Sequence, residues 1–326
     1  MKYRIIEHQH IFEEESQFAQ CHASTICPLP DGQIAAAWFG GTHEKAPDVA
    51  VWFSRRVNGV WSRPVIAADA ENVPCWNPVL FLDGDRLLLF YKVGNEIPSW
   101  QTFVKESLDF GESWSKEREL VPGDFGGRGP VKNKPIRLAD GAILAGASTE
   151  EGCWDCFADR SEDGGKTWKR SANVPIDHAK LKGMGIIQPT LWQSKDGSVH
   201  MLIRSSEGVI YRSDSADGGR NWCPAYPTDL PNNNSGIDLT RLEDGRLVLV
   251  CNPVLGNWAA RTPIVFQVSS DDGQTWGTPQ ILDHVTEGTC GIDAEFSYPA
   301  VVARENEIFL TYTWKRKNIA YWRIQF

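Results

Sequence analysis

The sequence predicts an all-β protein, a six-bladed β-propeller of four-stranded antiparallel blades closed by its N-terminal strand. Three observations lead there. The segment Ser107-Leu-Asp109-Phe-Gly111-Glu-Ser-Trp114 returns at 161–168, 215–222 and 269–276, each time after 54 residues. A worn copy, from Ser54 to Trp61, lies 53 residues ahead of the first. Repeats near this length mark propellers, solenoids or arrays, and six periods make 324 of the 326 residues. The third observation is compositional: 14 Trp, 14 Phe, 29 Gly and 19 Pro suit strands and turns and leave few helix signals.

Each period has one grammar. An apolar run meets a turn such as Asp31-Gly32, Asp83-Gly84, Asp140-Gly141, Asp196-Gly197 or Asp244-Gly245, and a second run follows at 34–39, 87–91, 143–147, 199–203 and 247–251. Asp-Gly between apolar runs is a strong hairpin signal, because the tight turn needs positive φ. A third run, as at 49–53, 102–105 and 265–268, leads into the Ser-x-Asp-x-Gly-x-x-Trp element, and a fourth follows it. The element reads as a structural turn: Ser and Asp bond nearby amides, Gly takes the left-handed conformation, and Trp packs between sheets. After Trp276 only three runs remain, at 298–303, 308–313 and 319–324. The unpartnered opening run, 2–8, is therefore expected to complete the last blade and hide its edge. One domain, 1–326, accounts for the chain.

Composition narrows the function. A net charge of −9 argues against nucleic acid as partner, no run approaches a membrane span, and residues 1–12 do not resemble a signal peptide. A cytoplasmic location with reduced thiols is the expectation for the eight cysteines. Cys153-Trp-Asp-Cys156 has metal spacing but no second pair, so neither metal nor cofactor is implied.

Innermost propeller strands begin around one mouth of the channel, and the six expected starts carry polar residues ahead of an apolar strand. They include Gln20-Cys-His22, Trp76-Asn77-Pro78, Lys132-Asn-Lys134-Pro135, Ile187-Gln188-Pro189, Asn232-Asn-Asn234 and Phe296-Ser-Tyr298-Pro299. Such a ring suits a polar ligand. Trp38, Trp76, Trp100 and Trp154 are weighed as sugar platforms against ordinary packing.

These repeats resemble the Asp-box (BNR) repeats of the sialidase superfamily, six-bladed propellers that cleave terminal sialic acids. The resemblance implies Asp48, ahead of the third strand of blade one, as acid/base, Tyr298 as nucleophile and Arg204 as a carboxylate ligand. It also implies departures. The first carboxylate-binding arginine is replaced by His22, the glutamate assisting the tyrosine by Gln188, and blade five opens on Asn232–Asn234 without an arginine. Lys134 and Arg316 are the cations that would compensate, with Asn77 and Asn234 as further ligand contacts.

Three functions stay open. An exo-acting glycoside hydrolase on an acidic oligosaccharide would use Asp48 and Tyr298, with Glu44 as second carboxylate. A lyase on a uronate glycan would use Arg204 or Lys134, His22 or His43, and Tyr298. A non-catalytic glycan binder needs only the polar channel.

Overall fold

The computed structural model describes residues 2–13, 17–30, 32–286 and 288–326; Asp31, of the expected Asp31-Gly32 turn, lies outside them. Six antiparallel sheets follow one another around a ring. Their innermost strands are Gln20–Pro28, Cys75–Asp83, Ile136–Arg137, Ile186–Gln193, Asp238–Arg241 and Phe296–Arg304. Five sheets have four strands, and blade one adds Val60–Trp61 at its outer edge. No described helix is long and apolar enough to cross a membrane.

Closure occurs as expected. Arg4–His10 pairs antiparallel with Asn318–Gln325, from Arg4 opposite Gln325 to His10 opposite Ala320, so the last blade takes its outer strand from the chain's start.

The four Ser-x-Asp-x-Gly-x-x-Trp elements form one structure each time. At the second, Ser161 Oγ donates to Asp163 Oδ1 at 2.9 Å, the Gly165 amide donates to Ser161 Oγ at 2.8 Å, and the Thr167 amide donates to Asp163 Oδ1 at 2.9 Å. Donors converging on the aspartate stabilise its ionised form. Against the cost of burial, the backbone amide and side-chain amide of Asn221 keep Asp217 near 2, and the hydroxyl and amide of Thr275 do the same for Asp271, both donors sitting at the seventh position of the element. The tryptophan then reaches back into the preceding junction. Trp114 meets Phe53 of blade one edge-to-face at 5.4 Å, and Trp168 meets Phe90 of blade two at 6.1 Å. Even the worn copy does this, Trp61 packing edge-to-face on Tyr321 of blade six at 5.3 Å. A buried apolar cluster fills each of the six junctions among the described residues. Arginines add polar clasps: Arg160 donates to Gly218 O at 3.2 Å and Arg212 to Gly273 O at 3.0 Å, each gripping the next blade's turn.

Candidate functional site

The polar residues expected at the channel mouth share a backbone device. Ala23, Asn77, Gln188 and Tyr298 have φ of 52, 36, 55 and 53°. At each of them pairing with the neighbouring strand slips, between His22 and Thr25, Trp76 and Val79, Ile187 and Thr190, and Ser297 and Ala300. These are β-bulges, which re-aim a side chain. A left-handed non-glycine residue costs about 1–2 kcal/mol. Proline follows three of the four, at Pro78, Pro189 and Pro299, and lacks the N–H that a slipped register would orphan. Asn234, with φ of 57°, stands just ahead of the blade-five strand.

Arg204, from the second strand of blade four (Val199–Ser205), is 2 % exposed and joins these positions. Its Nη1 donates to Tyr298 Oη at 2.7 Å and Gln188 Oε1 at 2.9 Å, and its Nε donates to Asn234 Oδ1 at 2.8 Å. Every acceptor is neutral. No carboxylate forms an ion pair with this guanidinium among the described residues, although a buried charge is costly when unpaired. Aromatic rings surround it instead, Trp154 at 5.7 Å, Trp258 at 5.6 Å and Tyr298 at 5.7 Å.

A second cluster centres on Glu295. Its Oε1 accepts from Arg261 Nη1 at 2.7 Å, Arg316 Nε at 2.8 Å and Ser297 Oγ at 2.6 Å. Burial raises the Glu295 carboxyl, but Arg261 and Arg316 outweigh it and hold the group below the usual range. Arg316 also donates to Glu44 Oε2 at 2.7 Å, drawing the blade-one loop to blade six. His22 lies against this cluster, its ring centroid 4.1 Å from that of Tyr298 and its Nδ1 2.8 Å from Thr313 Oγ1. Burial first, then Arg316, Arg261, Arg204 and Lys132, push its imidazole well below the ordinary histidine value, so it is neutral near pH 7.

Lys132 bridges the channel beneath Tyr298. Its ammonium donates to Ile237 O of blade five at 3.0 Å and to Pro299 O of blade six, and lies 5.8 Å from the Tyr298 ring centroid. Burial depresses it to about 7, with Asp238 opposing.

The structure therefore brings His22, Gln188, Arg204, Asn234, Tyr298, Arg316 and Glu44 to one mouth. Asn77 sits at its own bulge and donates to Val131 O at 3.0 Å. Asp48 is exposed, accepting from the Thr42 hydroxyl at 2.6 Å and the Thr42 amide at 3.0 Å; the hydroxyl is the main reason its carboxyl stays low. His43 is exposed and turns its Nδ1 to Glu44 O at 2.8 Å. Lys134 points away, to Asp238 at 3.0 Å and Leu239 O at 2.8 Å. There it lines a cavity of about 520 Å³ at the far ends of the inner strands, beside Pro28, Leu82 and Arg304.

Of the four weighed tryptophans, Trp38, Trp76 and Trp100 are buried in packing clusters and Trp154 faces Arg204. Cys153 is exposed and Cys156 buried, and all eight cysteines are free. No group of three His, Cys, Asp or Glu residues among those described could hold a metal.

Sequence reasoning missed Arg261, Glu295, Trp258 and Glu150, and took Lys134 rather than Lys132 from the blade-three strand start as the site cation. Arg261 and Trp258 come from the loop between the second and third strands of blade five, where no period guides the eye. Glu150 had a signal: it ends the second strand of blade three (Ile143–Glu151), the place from which Glu44 follows in blade one.

Comparison with known proteins agrees with this architecture. The sequence model described as "BNR repeat-like domain" matches residues 32–310. No curated protein matches the chain significantly. Among solved structures, a protein of unknown function from Dyadobacter fermentans superposes with a TM-score of 0.77 at 16 % identity, over 99 % of each chain. The K499G mutant of NanB sialidase from Streptococcus pneumoniae gives 0.77 at 13 % identity, over 97 % of this chain and 70 % of that one. The intramolecular trans-sialidase from Ruminococcus gnavus, in complex with oseltamivir carboxylate, gives 0.72 at 14 % identity, over 97 % and 96 %. At such identities the likeness is one of fold.

Proposed function

The chain belongs to the BNR repeat-like domain family, and from that premise we propose that it is a glycoside hydrolase removing a terminal acidic sugar from an oligosaccharide. One observation carries the reading. Arg204 is a buried cation whose three hydrogen bonds all end on neutral groups. A ligand carboxylate is the partner that this charge lacks, and guanidinium–carboxylate contacts are charge-assisted and frequently bidentate. Arg261 and Arg316 add positive potential beside Tyr298 while their own charges are balanced by Glu295 and Glu44.

With the carboxylate on Arg204, the anomeric carbon comes to Tyr298. The phenol oxygen already accepts from Arg204 and stands 3.5 Å from Gln188 Nε2, so its own proton is directed elsewhere. Gln188 cannot take that proton. Neutral His22, stacked obliquely on the Tyr298 ring, is the base that remains, with Glu295 3.8 Å from its Nδ1 to stabilise the imidazolium. The phenol oxygen then bonds the anomeric carbon as the bond to the glycosidic oxygen breaks and the alcohol leaves; water later displaces the tyrosine, whose oxygen takes its proton back from His22.

The same neutral imidazole favours a second reading. Next to a charge that neutralises a uronate, His22 suits removal of the proton α to the carboxylate, with departure of the 4-oxygen by β-elimination. Mass spectrometry of products from sialylated and uronate-containing oligosaccharides separates the two. Fragments whose summed mass gains one water are expected. An unsaturated fragment without that gain would replace hydrolysis by elimination, and silence across the panel would leave glycan binding alone.

A further inference from the structure

We propose that Glu150 is the acid of this site, protonating the oxygen that leaves the anomeric carbon of a sugar whose carboxylate lies on Arg204. The inference rests on the hydrolase reading and adds the proton donor that reading lacks. Four observations place it there.

Glu150 ends the second strand of blade three at the mouth, directly opposite Trp154 across the hairpin. The Trp154 ring lies under the Arg204 guanidinium, which in turn bonds Tyr298. Glu150, Trp154, Arg204 and Tyr298 thus form one continuous wall. Secondly, the other acids of this mouth are already committed: Glu44 to Arg316, Glu295 to Arg261, Arg316 and Ser297, and Asp48 to Thr42. Among the described residues the Glu150 carboxyl makes no hydrogen bond or ion pair. Thirdly, the group is half-buried rather than solvated. Burial pushes its carboxyl upward, Glu44 adds to this, and Arg204 opposes. Asp48 is displaced in the opposite direction, which suits a standing anion and not a proton donor at neutral pH.

The fourth observation is the identity of that opposing charge. Arg204 is the cation acting against the protonated form of Glu150 and also the cation left without an anion. A substrate carboxylate on Arg204 neutralises its pull on Glu150. Occupancy of the site therefore favours the proton that catalysis requires, and the empty enzyme holds a weaker acid supply than the complex.

The step balances without a co-reactant. The bond between the anomeric carbon and the glycosidic oxygen breaks, its electron pair stays on the oxygen, and that oxygen takes the Glu150 proton. The carboxylate so formed recovers a proton from the water whose oxygen finally adds to the anomeric carbon. The sum is one water consumed per bond cleaved.

The test compares leaving groups. A nitrophenyl glycoside of the acidic sugar departs as a stable phenolate and needs little protonation, whereas an oligosaccharide alcohol needs it fully. Glu150→Gln, isosteric and checked for an unchanged melting curve, is expected to lose about 10²–10⁴-fold in kcat on the oligosaccharide and far less on the nitrophenyl glycoside. It should also lose the alkaline limb of the wild-type pH–rate profile. Glu150→Asp, shorter by one methylene, should recover that limb at reduced rate. Equal losses on both substrates, or the leaving-group signature appearing in Asp48→Asn instead, would overturn the assignment while leaving the hydrolase reading intact. Wild-type enzyme that cleaves neither substrate would overturn both.

Discussion

Arg204 Nη1 donates to Tyr298 Oη across 2.7 Å, tying the second strand of blade four to the innermost strand of blade six through one hydrogen bond from a guanidinium to a phenol. The contact couples two elements 94 residues apart in sequence. It also concentrates an unbalanced positive charge at the channel mouth.

Replacing Arg204 by Met separates binding from stability. Removing one member of a buried, hydrogen-bonded charge pair costs about 2–5 kcal/mol of affinity, so binding of an acidic glycan should fall accordingly by calorimetry. The ligand-free fold should respond much less, because the substitution also removes an unpaired buried charge. A loss of folding stability as large as the loss of affinity would mean that Arg204 is a structural bolt.

Gln188→Glu is expected to act in the reverse sense on the fold. The Gln188 Oε1 already accepts from Arg204 at 2.9 Å, so a carboxylate there would pair the free guanidinium. Thermal stability should rise, and affinity for an acidic ligand should fall by about tenfold or more, roughly 1.4 kcal/mol. Titration calorimetry and a melting curve on the same preparation check both halves.

His22 supplies a pH signature. Its folded pKa lies well below 6.5, so below that pH the unfolded chain takes up a proton that the native site refuses. By linkage, stability attributable to His22 is fully present above pH 6.5 and declines as pH falls through 6.5 toward the folded value, at about 1.4 kcal/mol per unit separating the two pKa values. His22→Gln should flatten the loss of stability between pH 6.5 and 5 in denaturant titrations. An unchanged slope would place the titrating group elsewhere, with His8, also depressed by burial, the next to examine.

Trp168→Ala tests the repeat. The ring is 7 % exposed and closes the junction between blades two and three. Its removal should cost about 3–5 kcal/mol in urea unfolding, with KM for any substrate unchanged, because the residue lies among apolar packing and away from Arg204 and Tyr298.

The architecture was legible because the turn elements are local. Ser161, Asp163, Gly165 and Thr167 satisfy one another within a few residues, so the chemistry recurs visibly wherever the structure recurs. The bulge positions were partly legible for the same reason: Asn77, Gln188 and Tyr298 each precede a proline, a pattern that survives in one dimension. Glu295 and Arg261 left no such trace. Each acquires its partners from other blades or from loops of no fixed length, and their charges make sense only in pairs. The tryptophans illustrate the same boundary. Trp76 and Trp154 look alike in sequence, yet one is packed against Trp100 and the other covers a guanidinium.

The pairing of Arg4–His10 with Asn318–Gln325 also fixes an order of events during synthesis. Arg4–His10 leaves the ribosome long before its partner strand, so it must wait, edge exposed, while the intervening blades assemble. Until that partner emerges, the last blade lacks its outer strand and the ring stays open. Deleting residues 4–10 would make that open state permanent and is expected to lower the yield of soluble protein.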